Sequence, residues 1–218
     1  MRRPARRPLY PKSFLSVLFL VGCTAPGTSA SFAAGGNDIS ARQQQIAQGR
    51  QLVLDHGCAD CHAMASPSPL DPGFLAGSID TAQFIMGPFK TRARNLTPDN
   101  ATGLGRFTER QIFNALRYGL RPGETPDAEI TSSTPGQGNF PARPRYLAPP
   151  MPWIAFRHMS NEQLYAIAAY LKNGLKPVSH RVLDSEGPPD FWAGTYTVKN
   201  FGPYPAPAFP AAAEKGGQ

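Results

Sequence analysis

The stretch Cys58-Ala59-Asp60-Cys61-His62 decides how this chain can fold. A Cys-x-x-Cys-His pattern is typical of covalent attachment of a c-type haem. Two thiols three positions apart can add to the two vinyl groups on one edge of the ring, and the next residue then offers an imidazole to the iron. The pattern therefore predicts that Cys58 and Cys61 hold one haem c and that His62 is an axial ligand.

Two other kinds of site can contain a Cys-x-x-Cys pair. A structural zinc site needs a second pair of ligands, and the only other cysteine of the chain is Cys23. A thioredoxin-like redox pair is expected within a strand–helix–strand pattern, which the surrounding sequence does not show. A metal or thiol redox module without haem is therefore the weakest of the alternatives.

The N-terminus has the features of an export signal. Its basic residues are Arg2, Arg3, Arg6, Arg7 and Lys12. Residues 14–21 form an apolar run that is too short to cross a bilayer. Cys23 follows this run directly, which predicts a lipoprotein-type signal in residues 1–22, a lipid anchor at Cys23 and a periplasmic location in a bacterial cell envelope. The alternative is ordinary cleavage after the small residues near Ala30 or Ala33.

The net charge gives no reason to expect nucleic-acid binding. The formal charge of the chain is +7, and residues 1–22 hold five basic groups and no acidic ones. Removal of this segment leaves a charge near +2, so the high isoelectric point mainly reflects the export signal.

Three helices are predicted in a domain covering residues 40–178. The first begins near Ser40, after a flexible tether over residues 23–39, and its Gly49 indicates close approach of another helix. The second covers residues 109–118 and begins with a Thr-x-x-Gln capping box, and the third follows a Ser-x-x-Gln box at Ser160. Gly119 and Gly174 end these two helices, and Ala166 and Ala169 offer small surfaces that could meet Gly49.

Two Pro-rich segments have no helical or strand periodicity. Residues 121–150 are expected to be a loop, and a loop of this length suits a segment that wraps a ligand. Residues 179–218 form a C-terminal extension rich in proline and aromatic residues. Its aromatic side chains indicate either a docking surface or an arm packed on the domain, and residues 211–218 are expected to be disordered.

Met151 is the best candidate for the second axial ligand. It lies between prolines in the stretch Ala148-Pro149-Pro150-Met151-Pro152-Trp153, which restricts the backbone before the side chain binds anything. A thioether ligand raises the reduction potential relative to a second imidazole. The other candidates beyond the signal are His56, His158, His180, Met64, Met86 and Met159.

Several stretches in this order carry a resemblance to a known family. They are Gly49-Arg50, Cys58-Ala59-Asp60-Cys61-His62, Arg94-Asn95-Leu96-Thr97-Pro98-Asp99, Thr102-Gly103-Leu104-Gly105, Ala115-Leu116-Arg117-Tyr118-Gly119, Pro150-Met151-Pro152-Trp153, Met159-Ser160-Asn161-Glu162-Gln163-Leu164 and Ala169-Tyr170-Leu171. Together they resemble class I cytochromes c, and more narrowly bacterial monohaem cytochrome c domains associated with membrane-bound dehydrogenases.

The resemblance implies an all-α fold in which the first and last helices cross and the haem lies between His62 and Met151. It also implies that Arg94 and Asn95 help to hold the haem or its propionates, although Arg94 could equally be an exposed charge. Residues 122–147 are longer than the link that the family usually has before its axial Met, and the aromatic extension is a second departure.

The predicted function is single-electron transfer between redox partner proteins, without substrate turnover by this chain. A dehydrogenase, an oxidase or a membrane quinol-oxidising complex could be the partner. The first alternative is a permanent cytochrome subunit of a dehydrogenase or oxidase complex. A large exposed apolar patch near the extension would favour this alternative. The second is a haem sensor or peroxidase-like protein, which would need an open or labile sixth position.

Overall fold

The computed structural model describes residues 31–201. In chain order its elements are α1 (Ser31–Asp55), α2 (Cys58–His62), β1 (Phe84–Met86), β2 (Phe89–Thr91), α3 (Glu109–Tyr118), α4 (Trp153–Phe156), α5 (Asn161–Asn173) and α6 (Val198–Phe201), with 3-10 turns at Pro122–Glu124 and Ala193–Thr195. The predicted signal segment, Cys23 and the end of the extension lie outside the described residues. None of the helices within residues 31–201 has the length and apolar character that a membrane crossing requires.

The first and last long helices cross at a glycine. Gly49 of α1 lies directly against α5, where a Cβ atom at Gly49 would overlap the carbonyl oxygen of Ala166 and lie 2.8 Å from the Cβ of Tyr170. Ala166, Ala168 and Ala169 are fully buried in α5. The predicted contact between Gly49 and the small residues of the last helix is therefore confirmed at Ala166.

Capping boxes begin α3 and α5 as predicted. The Thr108 hydroxyl accepts a hydrogen bond from the Gln111 backbone N–H at 3.1 Å, and the Gln111 side chain accepts one from the Thr108 N–H at 3.0 Å. Ser160 and Gln163 make the same pair of bonds at 3.2 and 2.9 Å. These bonds satisfy backbone donors that have no partner inside the helix.

The structure differs from the predicted helix boundaries at α1. This helix begins at Ser31 and not near Ser40, so residues 31–39 of the predicted tether are helical. No proline interrupts residues 31–55, which permits the longer helix, although Gly35 and Gly36 have low helix propensity.

The prediction of an all-α fold was also wrong in part. β1 and β2 form a two-stranded antiparallel hairpin, with Ile85 opposite Lys90 and Met86 opposite Phe89. Gly87 has a φ of 54° in the turn between them, a conformation that glycine adopts without steric cost. Strands of three residues are too short for a two-residue periodicity to be recognised in the sequence.

Residues 121–150 contain no α-helix, as predicted, but the segment is not without order. It carries a second small core in which Ile130 and Phe140 pack against Tyr118 and Leu120. Tyr118 donates its hydroxyl hydrogen bond to the Ile130 carbonyl at 3.0 Å. An isolated antiparallel bridge between Leu120 and Tyr146 closes the base of the loop.

The described part of the C-terminal extension, residues 179–201, packs on the domain, and we call it the C-terminal arm. Val182 and Trp192 are buried. Trp192 makes an edge contact with Phe89 of β2 at 4.9 Å between ring centroids, and Glu186 forms a bridge with Lys90. Of the two predicted roles for the aromatic extension, this part of it is a packed arm.

Candidate functional site

A cavity of about 510 Å³ opens beside α2, within the volume range of small-molecule and cofactor sites. Its wall is largely apolar, and α3 and α5 both contribute to it. The apolar residues that these two helices contribute are Ile112, Ala115, Leu116, Ile167 and Leu171. Side chains of α3 and of α5, the last long helix, thus form part of the cavity wall.

The attachment motif forms a helical turn at the cavity edge. Gly57 precedes α2 with a φ of 59°, and a Cβ atom at this position would lie 2.5 Å from an Asp60 carboxylate oxygen. Glycine is thus needed for the chain to turn from α1 into α2. The turn places Cys58, Cys61 and His62 on the same cavity wall, with Cys58 half-buried and Cys61 exposed.

The His62 ring is oriented by a backbone carbonyl. Its Nδ1 lies 2.6 Å from the Arg94 carbonyl oxygen, which can only accept a hydrogen bond, so Nδ1 carries the proton and Nε2 has the free lone pair. Burial lowers the pKa of His62, and the contact with the Arg94 carbonyl opposes part of that shift. Burial outweighs this contact and favours the neutral imidazole, which is the form that binds a metal.

The environment of Cys58 disfavours a reactive thiolate. Desolvation by burial raises its pKa to about 11, and the negative charge of Asp60 acts in the same direction. A redox-active cysteine needs a lowered pKa, since the thiolate is the nucleophile. This observation speaks against a thiol redox module at Cys58.

Met151 lies on the wall of the same cavity as His62. Its backbone N–H donates to the Ala148 carbonyl at 2.9 Å, and its carbonyl accepts from the Trp153 N–H at 2.8 Å. Trp153 is completely buried, and its ring stacks on Tyr146 at an interplanar angle of 11°. The Met151 backbone is therefore fixed by a buried anchor as well as by its flanking prolines.

The other candidate ligands are placed less favourably. Only His56 among them also lines the cavity, on the side of the attachment motif, and its Nδ1 is 2.8 Å from the Leu52 carbonyl oxygen. His180 directs Nδ1 to the Ala76 carbonyl at 2.8 Å, and Met159 packs in the main core. Met151 stays the predicted ligand.

Arginines gather at the polar side of the cavity. Arg94 lines it, as do Arg92 and Arg121, which sequence reasoning missed. Burial lowers the pKa of Arg94, Asp184 opposes the shift, and the neighbouring charges of Arg121 and Arg92 add to it. Three guanidinium groups from two separate segments make this side of the cavity suitable for carboxylates such as haem propionates.

The C-terminal arm holds these arginines. Arg94 donates to the carbonyls of Val182 and Leu183 at 3.2 and 3.0 Å and to the Ser185 hydroxyl at 3.0 Å. Arg92 and Arg121 also bond to the arm, through Asp184 and Asp190. These contacts could not be read from the sequence, because they join segments about 70 to 90 residues apart.

Asn95 is not among the residues that line the cavity, and its role in holding a haem stays a prediction. Its side chain is 2% exposed. The amide nitrogen donates to the Thr102 hydroxyl and the Val178 carbonyl at 3.0 and 2.8 Å, and the amide oxygen accepts from the Thr97 N–H at 2.9 Å. Asn95 is a structural residue that ties its loop to the chain leaving α5.

Comparison with known proteins places the chain beside cytochrome subunits of dehydrogenases. It is 27% identical over 172 residues to the fructose dehydrogenase cytochrome subunit of Gluconobacter japonicus, which covers 79% of this chain and 29% of the relative. It is 28% identical over 159 residues to the gluconate 2-dehydrogenase cytochrome c subunit of Pantoea cypripedii, covering 72% and 29%. No family model matches the chain.

A third relative has the same kind of name. The cytochrome c subunit of a quinone alcohol dehydrogenase from Gluconacetobacter polyoxogenes is 29% identical over 134 residues, which cover 62% of this chain and 23% of the relative. The chain thus spans less than a third of the length of these relatives. The resemblance to cytochrome c domains associated with dehydrogenases is confirmed.

Proposed function

We propose that this chain is a cytochrome c subunit of a dehydrogenase complex, with one covalent haem through which electrons pass one at a time. The proposal rests on one observation. Cys58, Cys61, His62 and Met151 all lie on the wall of the same cavity. When bound, haem supplies reversible one-electron chemistry. The protein side chains around it bind the group, orient it and exclude water.

Each part of the cavity fits that role. Cys58 and Cys61 would hold the group through thioether bonds, and His62 has its Nε2 available because Nδ1 is engaged by the Arg94 carbonyl. Met151 would be the second protein ligand of the group and would favour its reduced form. The apolar side chains of α3 and α5 exclude water, and the arginines face the polar edge.

A second protein ligand, supplied by Met151, would argue against the sensor or peroxidase-like alternative. Such a protein needs a place where a small molecule can bind the iron. Met151 is on the cavity wall, and its backbone is anchored by the buried Trp153. This arrangement favours electron transfer over the chemistry of oxygen or peroxide.

The subunit role is favoured over that of a free carrier by two observations. The relatives are named as cytochrome subunits of dehydrogenases. In addition, large apolar side chains are exposed on the arm and on the hairpin bonded to it, namely Leu183 at 45%, Phe191 at 53% and Ile85 at 64%. If these side chains form one contiguous patch, that patch would be typical of a protein–protein contact site.

Export and lipidation belong to the same proposal and rest on the sequence. The basic and apolar segments before Cys23 support an exported protein whose lipid holds it at a membrane surface facing the periplasm. A Cys23→Ser variant should move the protein from the membrane fraction to the soluble periplasmic fraction. An unchanged distribution would contradict the anchor and leave the haem site unaffected.

The first experiment is an absorption spectrum of the full chain, expressed together with haem-maturation proteins. We expect one haem per chain that stays bound after acid–acetone extraction. The oxidised form should show the weak long-wavelength band of methionine–iron ligation. Noncovalent haem, or no haem, would overturn the proposal.

Met151→Leu tests the second ligand. The substitution keeps the volume of the side chain and removes the sulfur, so the long-wavelength band should disappear and the reduction potential should fall. Met159→Leu is the matched control, because Met159 packs in the main core and does not line the cavity. Persistence of the band in Met151→Leu would exclude Met151 as the ligand.

The dehydrogenase partner is tested by purification of the tagged chain from membranes of its native host. We expect a dehydrogenase catalytic subunit to elute with it in a fixed ratio, and electrons from the substrate of that enzyme to reduce the haem. A protein that elutes alone and is reduced only by unrelated carriers would favour a free electron carrier.

A further inference from the structure

We propose that Asp190, on the C-terminal arm, is a positioning residue that holds the Met151 loop against the iron. The inference rests on the proposed function, because it takes Met151 as the axial ligand. It concerns the part of the chain in which this protein departs from the family that it resembles.

Asp190 joins the two ends of the long loop. One carboxylate oxygen accepts from Arg121 Nη2 at 2.9 Å, at the start of residues 121–150, and the other accepts from Arg145 Nε at 2.8 Å, near their end. The Asp190 side chain is 20% exposed. Both carboxylate oxygens are therefore used, in a partly buried site.

The joined ends continue directly into the wall that carries Met151. The Arg121 N–H donates to the Arg145 carbonyl at 2.9 Å, and Arg121 Nε donates to the Tyr146 carbonyl at 3.1 Å. Leu147, the next residue, lines the cavity, as does Met151. The backbone pairing of Arg121 with Arg145 thus fixes the start of the segment that carries Met151, and Asp190 holds this pairing through the side chains of both arginines.

The arm braces this wall at a second point. Tyr196 makes edge contacts with Tyr146 at 5.1 Å and with Trp153 at 5.2 Å between ring centroids. These two rings stack on each other on either side of Met151 in sequence. Asp190 and Tyr196 therefore hold the same segment from the same arm.

The backbone at Asp190 makes a clean test possible. Its φ is 62°, a left-handed conformation that asparagine also tolerates. Asp190→Asn should keep the turn of the arm and remove the charge that binds both arginines. Asp184→Asn is the matched control, because Asp184 is another carboxylate of the arm but pairs with Arg94 and Arg181 and does not contact the long loop.

The readout is competition between Met151 and added imidazole for the iron. The oxidised full-length holoprotein is titrated with imidazole, and loss of the long-wavelength band gives the dissociation constant. Asp190→Asn should bind imidazole about tenfold more tightly, which corresponds to about 1.4 kcal/mol. Arg145→Gln, which removes one of the two bonds at a more exposed position, should show about a threefold effect, and Asp184→Asn less than a twofold effect.

The outcomes separate this inference from the proposed function. Suppose that the unmodified protein shows the band and that Asp190→Asn binds imidazole no more tightly than the unmodified protein. Asp190 then has at most a structural role, and the inference is overturned while the proposed function stands. If the unmodified protein holds covalent haem but lacks the band, Met151 is not the ligand and the inference fails, while the subunit proposal stands. If it holds no covalent haem, both fail. If Asp190→Asn does not fold, Arg145→Gln decides by the same titration.

Discussion

Alanine at position 49 would test whether the crossing of α1 and α5 controls the stability of the domain. A Cβ atom there would overlap the Ala166 carbonyl and come within 2.8 Å of the Tyr170 Cβ. Neither of these groups can rotate away, because one is the α5 backbone and the other is attached to it. The two helices must therefore move apart for the methyl group to fit.

The magnitude follows from two opposing effects. Alanine is favoured over glycine in a helix interior by about 1 kcal/mol. Overpacking of a close contact costs about 1–3 kcal/mol, and the backbone overlap places this case at the upper end. We expect Gly49→Ala to lower the free energy of unfolding by about 2 kcal/mol. With a typical urea m-value of about 2 kcal/mol/M, the midpoint should fall by about 1 M.

The assay is urea unfolding of the holoprotein followed by circular dichroism. Gly123→Ala is the control, because a Cβ atom at Gly123 meets nothing within 4 Å, and its effect should stay within about 0.5 kcal/mol. If Gly49→Ala were as stable as the unmodified protein, or more stable, the close approach of the two helices would not limit stability and the reasoning would be refuted.

Two further predictions concern local hydrogen bonds. Ser160→Ala removes the side-chain cap of α5 and should destabilise the protein by about 1 kcal/mol in the same urea assay, while Ser160→Asp should have almost no effect; equal losses in both would show that the cap is not responsible. Asp99 has a lowered pKa because the Thr102 hydroxyl and the N–H groups of Thr102 and Ala101 bind its carboxylate. Its contribution to stability is present above the ordinary pKa of 3.8 and is lost as the pH falls through the lower folded value. Asp99→Asn should therefore be less stable than the unmodified protein at pH 7, and the difference should shrink in acid. A difference independent of pH would contradict this account.

Local chemistry made part of this structure predictable. The starts of α3 and α5 follow from side chains at Thr108 and Ser160 that bond to backbone groups three residues away. The approach of Gly49 to α5 was also predictable, since a glycine inside a helix needs a packing reason. The Cys-x-x-Cys-His motif predicted one side of the cavity, because the spacing of the two cysteines is the one that covalent haem attachment requires.

Long-range pairing could not be predicted in the same way. Arg121 was recognised only as the start of a loop, and its place on the cavity wall depends on Asp190, far away in the sequence. The resemblance suggested Asn95 as a haem contact, whereas the fold uses its amide to hold two loops together. The polar side of the cavity depends on an arm whose composition showed only that it was aromatic and rich in proline.

The crossing of α1 and α5 also determines the order in which the protein can mature. Gly49 and Ala166 are more than a hundred residues apart, so their contact forms only after a very long chain segment has been closed. α5 supplies Ile167 and Leu171 to the cavity, and the inner wall is incomplete until that helix arrives. During synthesis, Cys58 and Cys61 thus emerge well before the helix that encloses their cavity. The fold leaves an interval in which both thiols are accessible before that helix closes the domain, and the proposed haem attachment would fall in this interval.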